Sequence, residues 1–239
     1  MIKRIILLAF IGFLALSNMA FAYTINDLID NPTNWQNGPV DRVGDAVFEL
    51  YGINVFRSGN NLTFDIYTNY PNDGNYPTDE TVTVGSWKTF PGDLAIDADS
   101  DGIYEYGLAV TSHDGLIAGS LYNVNNWFLS NHYAVAGLTY NTNQIVTIAS
   151  GSLLANSSSV ARYWNDLTHD RFNGIPDFVI RAQFDITGSN GFNDSAFNVH
   201  YATATCANDY VKGSVTPEPA SISLLGIGLL GLLGIRRKK

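Results

Sequence analysis

The sequence predicts an all-β domain, a β-sandwich or jelly-roll-like fold with short helices. Three observations predict it. Short runs alternate polar and apolar residues, turn-forming Gly, Asn and Ser recur between those runs, and long stretches with the 3.6-residue helical period are scarce. Two short stretches, 25–30 and 158–167, are the candidate helices.

The strands follow one another along the chain. Residues 47–56 and 62–67 predict a hairpin, because the Ser-Gly-Asn-Asn sequence between them favours a tight turn. Three later runs alternate in the same way, at 104–110, 178–186 and 197–205. The chain is long enough to bury a sizeable core as a single domain.

The N-terminus has the three parts of a secretory signal peptide. Lys3 and Arg4 are the basic part, residues 5–16 are apolar, and an Ala-Phe-Ala sequence provides the small residues of a cleavage site. Twelve apolar residues fall short of the ~20 that span a bilayer. We therefore expect cleavage between Ala22 and Tyr23, and a retained membrane anchor is the alternative.

The C-terminus is a second targeting segment. It consists of the motif Pro217-Glu218-Pro219, an apolar stretch over 220–235, and the basic residues Arg236, Arg237, Lys238 and Lys239. This tail resembles the PEP-CTERM sorting signal of Gram-negative bacteria. The resemblance implies an exosortase as the processing partner, transient contact with the inner membrane, and delivery to the cell surface or the exopolysaccharide matrix, as in biofilms. Similar tails occur on proteins labelled ice-binding, but the body lacks a regular Thr-x-Thr ladder.

The apolar part of the tail is predicted as a short transmembrane helix. Its sixteen residues are interrupted by four glycines, so it favours a temporary stop in the membrane over a permanent span. The four basic residues would hold that end in the cytoplasm. The predicted organisation is a signal peptide over 1–22, an exported domain over 23–210, a linker over 211–216 and the sorting signal over 217–239.

Loss of both ends would make the domain strongly acidic. The ends carry six of the 13 basic residues but one of the 22 acidic residues, which leaves a net charge of about −14. This charge argues against nucleic acid and against anionic lipid as partners, because binding to either requires a basic face. Cys206 is the single cysteine, so no disulfide can form within the chain.

One acidic loop predicts a metal site. Carboxylates at alternate positions of a tight loop converge on one centre, and such oxygen ligands favour Ca²⁺. The predicted ligands are Asp97, Asp99, Asp101, the carbonyl oxygen of Ile103, and Glu105. An acidic turn that is only solvated by water is the alternative.

The loop is not an EF-hand. Leu108 occupies the position where an EF-hand has its bidentate glutamate, and the flanks 94–96 and 104–110 predict strands. It resembles the DxDxDG loops that join strands in extracellular proteins. We expect the closing ligand from elsewhere, with Asp93 and Asp114 as the nearest candidates. The role of the ion would be structural.

The sequence predicts no enzyme. The four histidines, His113, His132, His169 and His200, show no close-spaced metal pattern, and no nucleophile motif accompanies them. The tryptophans 35, 87, 127 and 164 are the ordinary aromatic core of a sandwich or a platform for sugars. Two alternatives therefore stay open: a calcium-dependent carbohydrate-binding module for exopolysaccharide and, less favoured, a polysaccharide hydrolase.

The body is also similar to exosortase-dependent surface proteins. His200 is followed by Cys206-Ala-Asn-Asp, where many of them have His and then Cys-Gly-Asn-Asp. The segments 92–97, 104–107 and 112–115 resemble the same group. The resemblance implies no activity.

Overall fold

The computed structural model describes residues 21–26, 50–68, 82–84, 87–89, 91–133, 143–156, 159–164, 178–186, 196–204 and 209–216. The rest of the signal peptide, the sorting motif and its basic end, His169 and Cys206 lie outside this part of the chain. No helix within it is long and apolar enough to cross a membrane.

The described chain is all β, as predicted. Its strands are β1 (Phe21–Asn26), β2 (Leu50–Ser58), β3 (Asn61–Thr68), β4 (Val82–Val84), β5 (Trp87–Thr89), β6 (Leu94–Asp97), β7 (Tyr106–Leu108), β8 (Ser120–Leu129), β9 (Ile145–Asn156), β10 (Ser159–Trp164), β11 (Phe178–Asp185), β12 (Phe197–Ala202) and β13 (Tyr210–Val215), with one 3-10 turn at Ser130–Tyr133.

Two antiparallel sheets form the sandwich. The first has the order β1-β2-β3-β11-β10, the second has the order β13-β12-β6-β7-β8-β9, and β4 and β5 form a separate pair. Apolar residues from both sheets make one buried core, including Phe64 and Phe184 from the first and Leu94, Ile96 and Tyr201 from the second. The prediction of an all-β sandwich is confirmed.

The clearest sequence patterns became strands. β2 and β3 pair as a hairpin around the turn after Ser58, with Ser58 opposite Asn61. In β3, Leu62, Phe64 and Ile66 are buried in the core. On the other face Asp65 forms an ion pair with Arg181 of β11, directly across the ladder.

Neither candidate helix is helical where the structure describes it. Residues Ile25 and Asn26 belong to β1, and the described part of 158–167 is β10. Each stretch is short, and pairing with β2 or β11 supplies the backbone hydrogen bonds that an isolated turn of helix would lack.

The linker prediction over 211–216 was also wrong. Residues 210–215 form β13, which pairs with β12 along its whole length, and Val211 and Val215 are buried. Gly213 hid the strand pattern, because it occupies the inward position between the two valines. A Cβ atom there would lie 2.6 Å from the side chain of Ile25, so the position has no room for an apolar side chain.

The β8–β9 hairpin bends over the outer face of the second sheet. Register shifts between residues 121 and 129 of β8 mark β-bulges, which bend a strand. The bend brings Ile148 and Trp127 against Gly107 of β7, in a second apolar cluster that includes Ala109 and Tyr122. Gly107 and Ala109 are small, so the bent hairpin can pack closely on this face of the second sheet.

Among the described glycines, Gly92 has the least room for a side chain. A Cβ atom on Gly92 would lie 1.7 Å from the carbonyl oxygen of Ala202 and 2.9 Å from that of Val146. Since both are backbone atoms, Gly92→Ala should destabilise the fold by about 3 kcal/mol or more, measured by urea unfolding.

Gly115→Ala is the matched control. Gly115 has φ of +80°, but nothing lies within 4 Å of its added Cβ, so only the backbone strain of about 1 to 2 kcal/mol applies. Equal losses in the two variants would contradict the packing argument.

Candidate functional site

The acidic loop joins the end of β6 to the start of β7, and its carboxylates converge. One carboxylate oxygen from each of Asp97, Asp99, Asp101 and Glu105 lies within 4.8 Å of the others. Asp97 is buried, whereas Asp99 and Asp101 are exposed. Of the five predicted ligands, the structure therefore brings the four carboxylates together.

Backbone hydrogen bonds shape the loop. Asp97 Oδ1 accepts the N–H of Asp101 at 3.1 Å, and its Oδ2 accepts the N–H of Gly102 at 3.0 Å. Ser100 and Gly102 have φ of 63° and 95°, and these left-handed residues turn the chain back on itself. The carboxylate of Asp97 thus organises the turn that carries the other acids.

The fifth predicted ligand is the carbonyl oxygen of Ile103, a residue whose side chain projects into solvent. Its N–H donates to Asp101 Oδ1 at 2.8 Å, and its side chain is 64% exposed. Close by, burial and the charge of Asp97 raise the pKa of the Tyr104 hydroxyl to about 12. The four grouped carboxylates make the loop a region of negative potential.

Neither predicted closing ligand reaches this loop. Asp93 and Asp114 lie at the other end of β6 and β7 and bond to other groups. Glu105 closes the loop instead, since its Oε2 accepts the N–H of Ala98 at 3.1 Å. Sequence reasoning missed Asn198 of β12, whose amide nitrogen donates to Asp97 Oδ2 at 2.9 Å.

Asp93 is the centre of a buried polar network. It is fully buried, and its Oδ1 accepts the N–H of Val110 at 2.8 Å. Its Oδ2 accepts the N–H of Ile148 and contacts Nε2 of His113, both at 2.8 Å. Asp93 also donates its own N–H to the carbonyl of Val146 at 2.7 Å. It therefore joins the start of β6 to β9 and to the β7–β8 connection.

His113 forms an ion pair inside this network. Burial alone lowers the pKa of His113, but the hydrogen bonds and negative charges of Asp93 and Asp114 outweigh it and raise the pKa to about 9. Both ring nitrogens face carboxylates, Nε2 facing Asp93 and Nδ1 facing Asp114 at 3.3 Å. With this raised pKa the ring is charged at neutral pH, and it links the β7–β8 connection to the start of β6.

His200 has the opposite character. It is buried between Tyr104 and Tyr210, and its Nε2 lies 3.0 Å from the carbonyl oxygen of Ile145, to which it donates. Burial, against the opposing effect of that hydrogen bond and with the added effect of the Lys212 charge, lowers the pKa of His200 to about 4. The ring is neutral and ties β12 to the bent hairpin.

The remaining candidates are packing residues where the structure describes them. His132 stacks on Phe128 with 3.7 Å between ring centroids. Trp127 donates its Nε1–H to the carbonyl of Tyr104 at 2.9 Å while its ring packs on the second sheet. Trp35 and the side chains of Trp87 and Trp164 lie outside the described part.

The comparisons with known proteins identify the tail. Residues 215–238 match the PEP-CTERM protein-sorting motif, as the resemblance of the tail predicted. No curated protein and no solved structure matches the chain. The motif is that of an exported protein that passes the membrane towards the cell surface and is processed by an exosortase.

The two buried histidines predict a stability maximum near pH 6.5. The pKa of His113 is raised on folding, so its stabilisation is complete below about pH 6.5 and is lost as the pH rises through about 9. The pKa of His200 is lowered, so its contribution is present above about 6.5 and is lost as the pH falls through about 4. Each loss is on the order of 3 kcal/mol.

Urea unfolding between about pH 4 and 9 measures this profile. His113→Gln should remove most of the alkaline loss and His200→Gln should reduce the acid loss, so each variant is a control for the other. An alkaline limb unchanged by His113→Gln would contradict the assignment.

Proposed function

We propose that this chain is a non-enzymatic surface protein whose β domain is stabilised by Ca²⁺ and whose tail is a substrate for an exosortase. The sorting motif at 215–238 is the observation that supports this export and processing route. We propose transient anchoring of the tail in the inner membrane, followed by cleavage near Pro217-Glu218-Pro219 and delivery to the cell surface or the exopolysaccharide matrix.

The grouping of four carboxylates supports a calcium site. All the donors are oxygen atoms, which Ca²⁺ prefers, and flexible coordination suits a loop between strands. Asp97, Asp99, Asp101 and Glu105 would hold the ion. A bound cation would neutralise their mutual repulsion and hold the β6–β7 connection closed. An extracellular site needs an affinity of only ~10⁻⁴–10⁻³ M.

The described residues do not favour either alternative activity. The described tryptophan side chain, Trp127, is engaged in packing and in a hydrogen bond to the backbone. Asp93 and His113, the most buried acid–histidine pair of the described chain, have their polar atoms directed at each other, at backbone groups and at the carboxylate of Asp114. A structural role for the domain therefore has more support than sugar binding or hydrolysis.

The calcium proposal is tested by thermal melting of the domain with Ca²⁺ and with chelator. At tenfold excess over the dissociation constant, Ca²⁺ should add about 1 to 2 kcal/mol, because it binds the folded state alone. This corresponds to a rise of roughly 2 to 8 °C in Tm for a domain of this size.

The double variant Asp99→Asn, Asp101→Asn should lose the calcium response. Asp114→Asn is the matched control, since Asp114 is an exposed acid of another loop, and it should keep the response. A wild-type melting temperature unchanged by Ca²⁺ would reject the site.

The sorting proposal is tested by two truncations in the native host. Removal of residues 217–239 leaves β13 complete, so a folded domain should appear in the medium. Removal of residues 211–239 also deletes the buried Val211 and Val215, and the domain should then be degraded. Cell association that persists without 217–239 would count against the tail as the anchor.

A further inference from the structure

The first and last strands lie against each other. β1 is an edge strand of the first sheet and β13 is an edge strand of the second. The side chain of Ile25 in β1 fills the space in front of Gly213 in β13. At one end of this contact, Asp209 Oδ2 accepts the N–H of Leu50, the first residue of β2, at 2.5 Å.

These contacts fix the direction of the strands. β13 begins directly after Asp209 and runs past Gly213 to Val215, and β2 runs alongside it from Leu50 towards Ser58. β1 is antiparallel to β2, with Phe21 opposite Arg57. The chain therefore enters β1 and leaves β13 at the same end of the sandwich.

That end also carries the acidic loop. Asn198 of β12 accepts a hydrogen bond from Ser214 of β13 and donates one to Asp97 of β6. Ser100 in the loop donates to the carbonyl of Ala196, next to the start of β12, at 3.2 Å. The exposed Ile103 belongs to this loop, so a large apolar side chain projects from this end.

Both apolar targeting segments lie a short distance along the chain from this end of the sandwich. Five residue steps separate Leu16, the last residue of the N-terminal apolar run, from Phe21, and five separate Val215 from Ala220. A fully extended chain covers at most ~3.5 Å per residue, so each connection spans ~17 Å or less.

We propose that this end of the sandwich is a membrane-facing surface, with Ile103 nearest the lipid, while the chain is held by its tail. The inference rests on the proposed sorting route, because it requires the stretch 220–235 to enter the bilayer. Two short connections at one end position that end next to the lipid headgroups. They also allow the domain to fold while both targeting segments are still in the membrane.

Ile117 provides a matched control for Ile103. Both are exposed isoleucines in loops, at 58% and 64% exposure. Ile103 lies in the connection before β7 and Ile117 lies in the connection after it, so the two occupy opposite ends of that strand.

The test uses the full chain in phosphatidylcholine vesicles that contain nitroxide-labelled headgroups. In a Cys206→Ser background, Ile103→Cys and Ile117→Cys each carry a bimane fluorophore. Quenching should be severalfold stronger at position 103, and removal of both targeting segments, residues 1–22 and 217–239, should abolish it. Equal quenching at the two positions, or stronger quenching at 117, would overturn the orientation.

A second measurement avoids the Cys206 change. A photoreactive p-benzoylphenylalanine at position 103 of the otherwise native chain should crosslink to lipid, and the same group at 117 should not. If the chain floats with the vesicles but crosslinks equally at both positions, the orientation alone fails. If the full chain does not float with the vesicles, the membrane stage of the proposed function fails, and the orientation fails with it.

Discussion

The buried carboxylate of Asp93 is the interaction on which the second sheet depends. A charged group in an apolar interior is stable only when it is paired and hydrogen-bonded. Asp93 meets this condition with two backbone N–H groups and the ring of His113. The donors come from two segments, since Val110 and His113 lie in the β7–β8 connection and Ile148 lies in β9, so the carboxylate fixes that connection and the bent β8–β9 hairpin to the start of β6. Removal of any one donor would leave part of a buried charge uncompensated.

The sequence predicted the elements whose signals are local. The β2–β3 hairpin has alternating residues and a recognisable turn, and β11 has a regular apolar face against the core. β13 was missed because glycine replaces an apolar residue at the point of closest contact with β1. β10 was missed because a run of six residues does not separate the two periodicities well.

In the acidic loop, too, the sequence predicted the local features and missed the contacts between distant residues. Its four carboxylates lie within nine residues, so their convergence follows from the local turn, and the sequence predicted it. The contact from Asn198 crosses 101 positions of the chain, and no local pattern indicates it. Asp93 and Asp114 are close to the loop in sequence, but β6 and β7 carry them to its opposite end. Sequence proximity predicted the wrong neighbours there, because a strand separates its two ends in space.

The contact between β1 and β13 bears on the speed and the order of folding. Ile25 and Gly213 stand near the two ends of the chain, and the hydrogen bond from Leu50 to Asp209 closes a loop of 159 residues. Native contacts between such distant positions carry a large loop-closure entropy and slow the folding of β proteins. Because β13 is the last strand of the described chain, this edge of the core closes only when β13 packs against β1. Until then the inward apolar side chains of β1 and β2 at this edge lack part of their cover, and they are open to unwanted association.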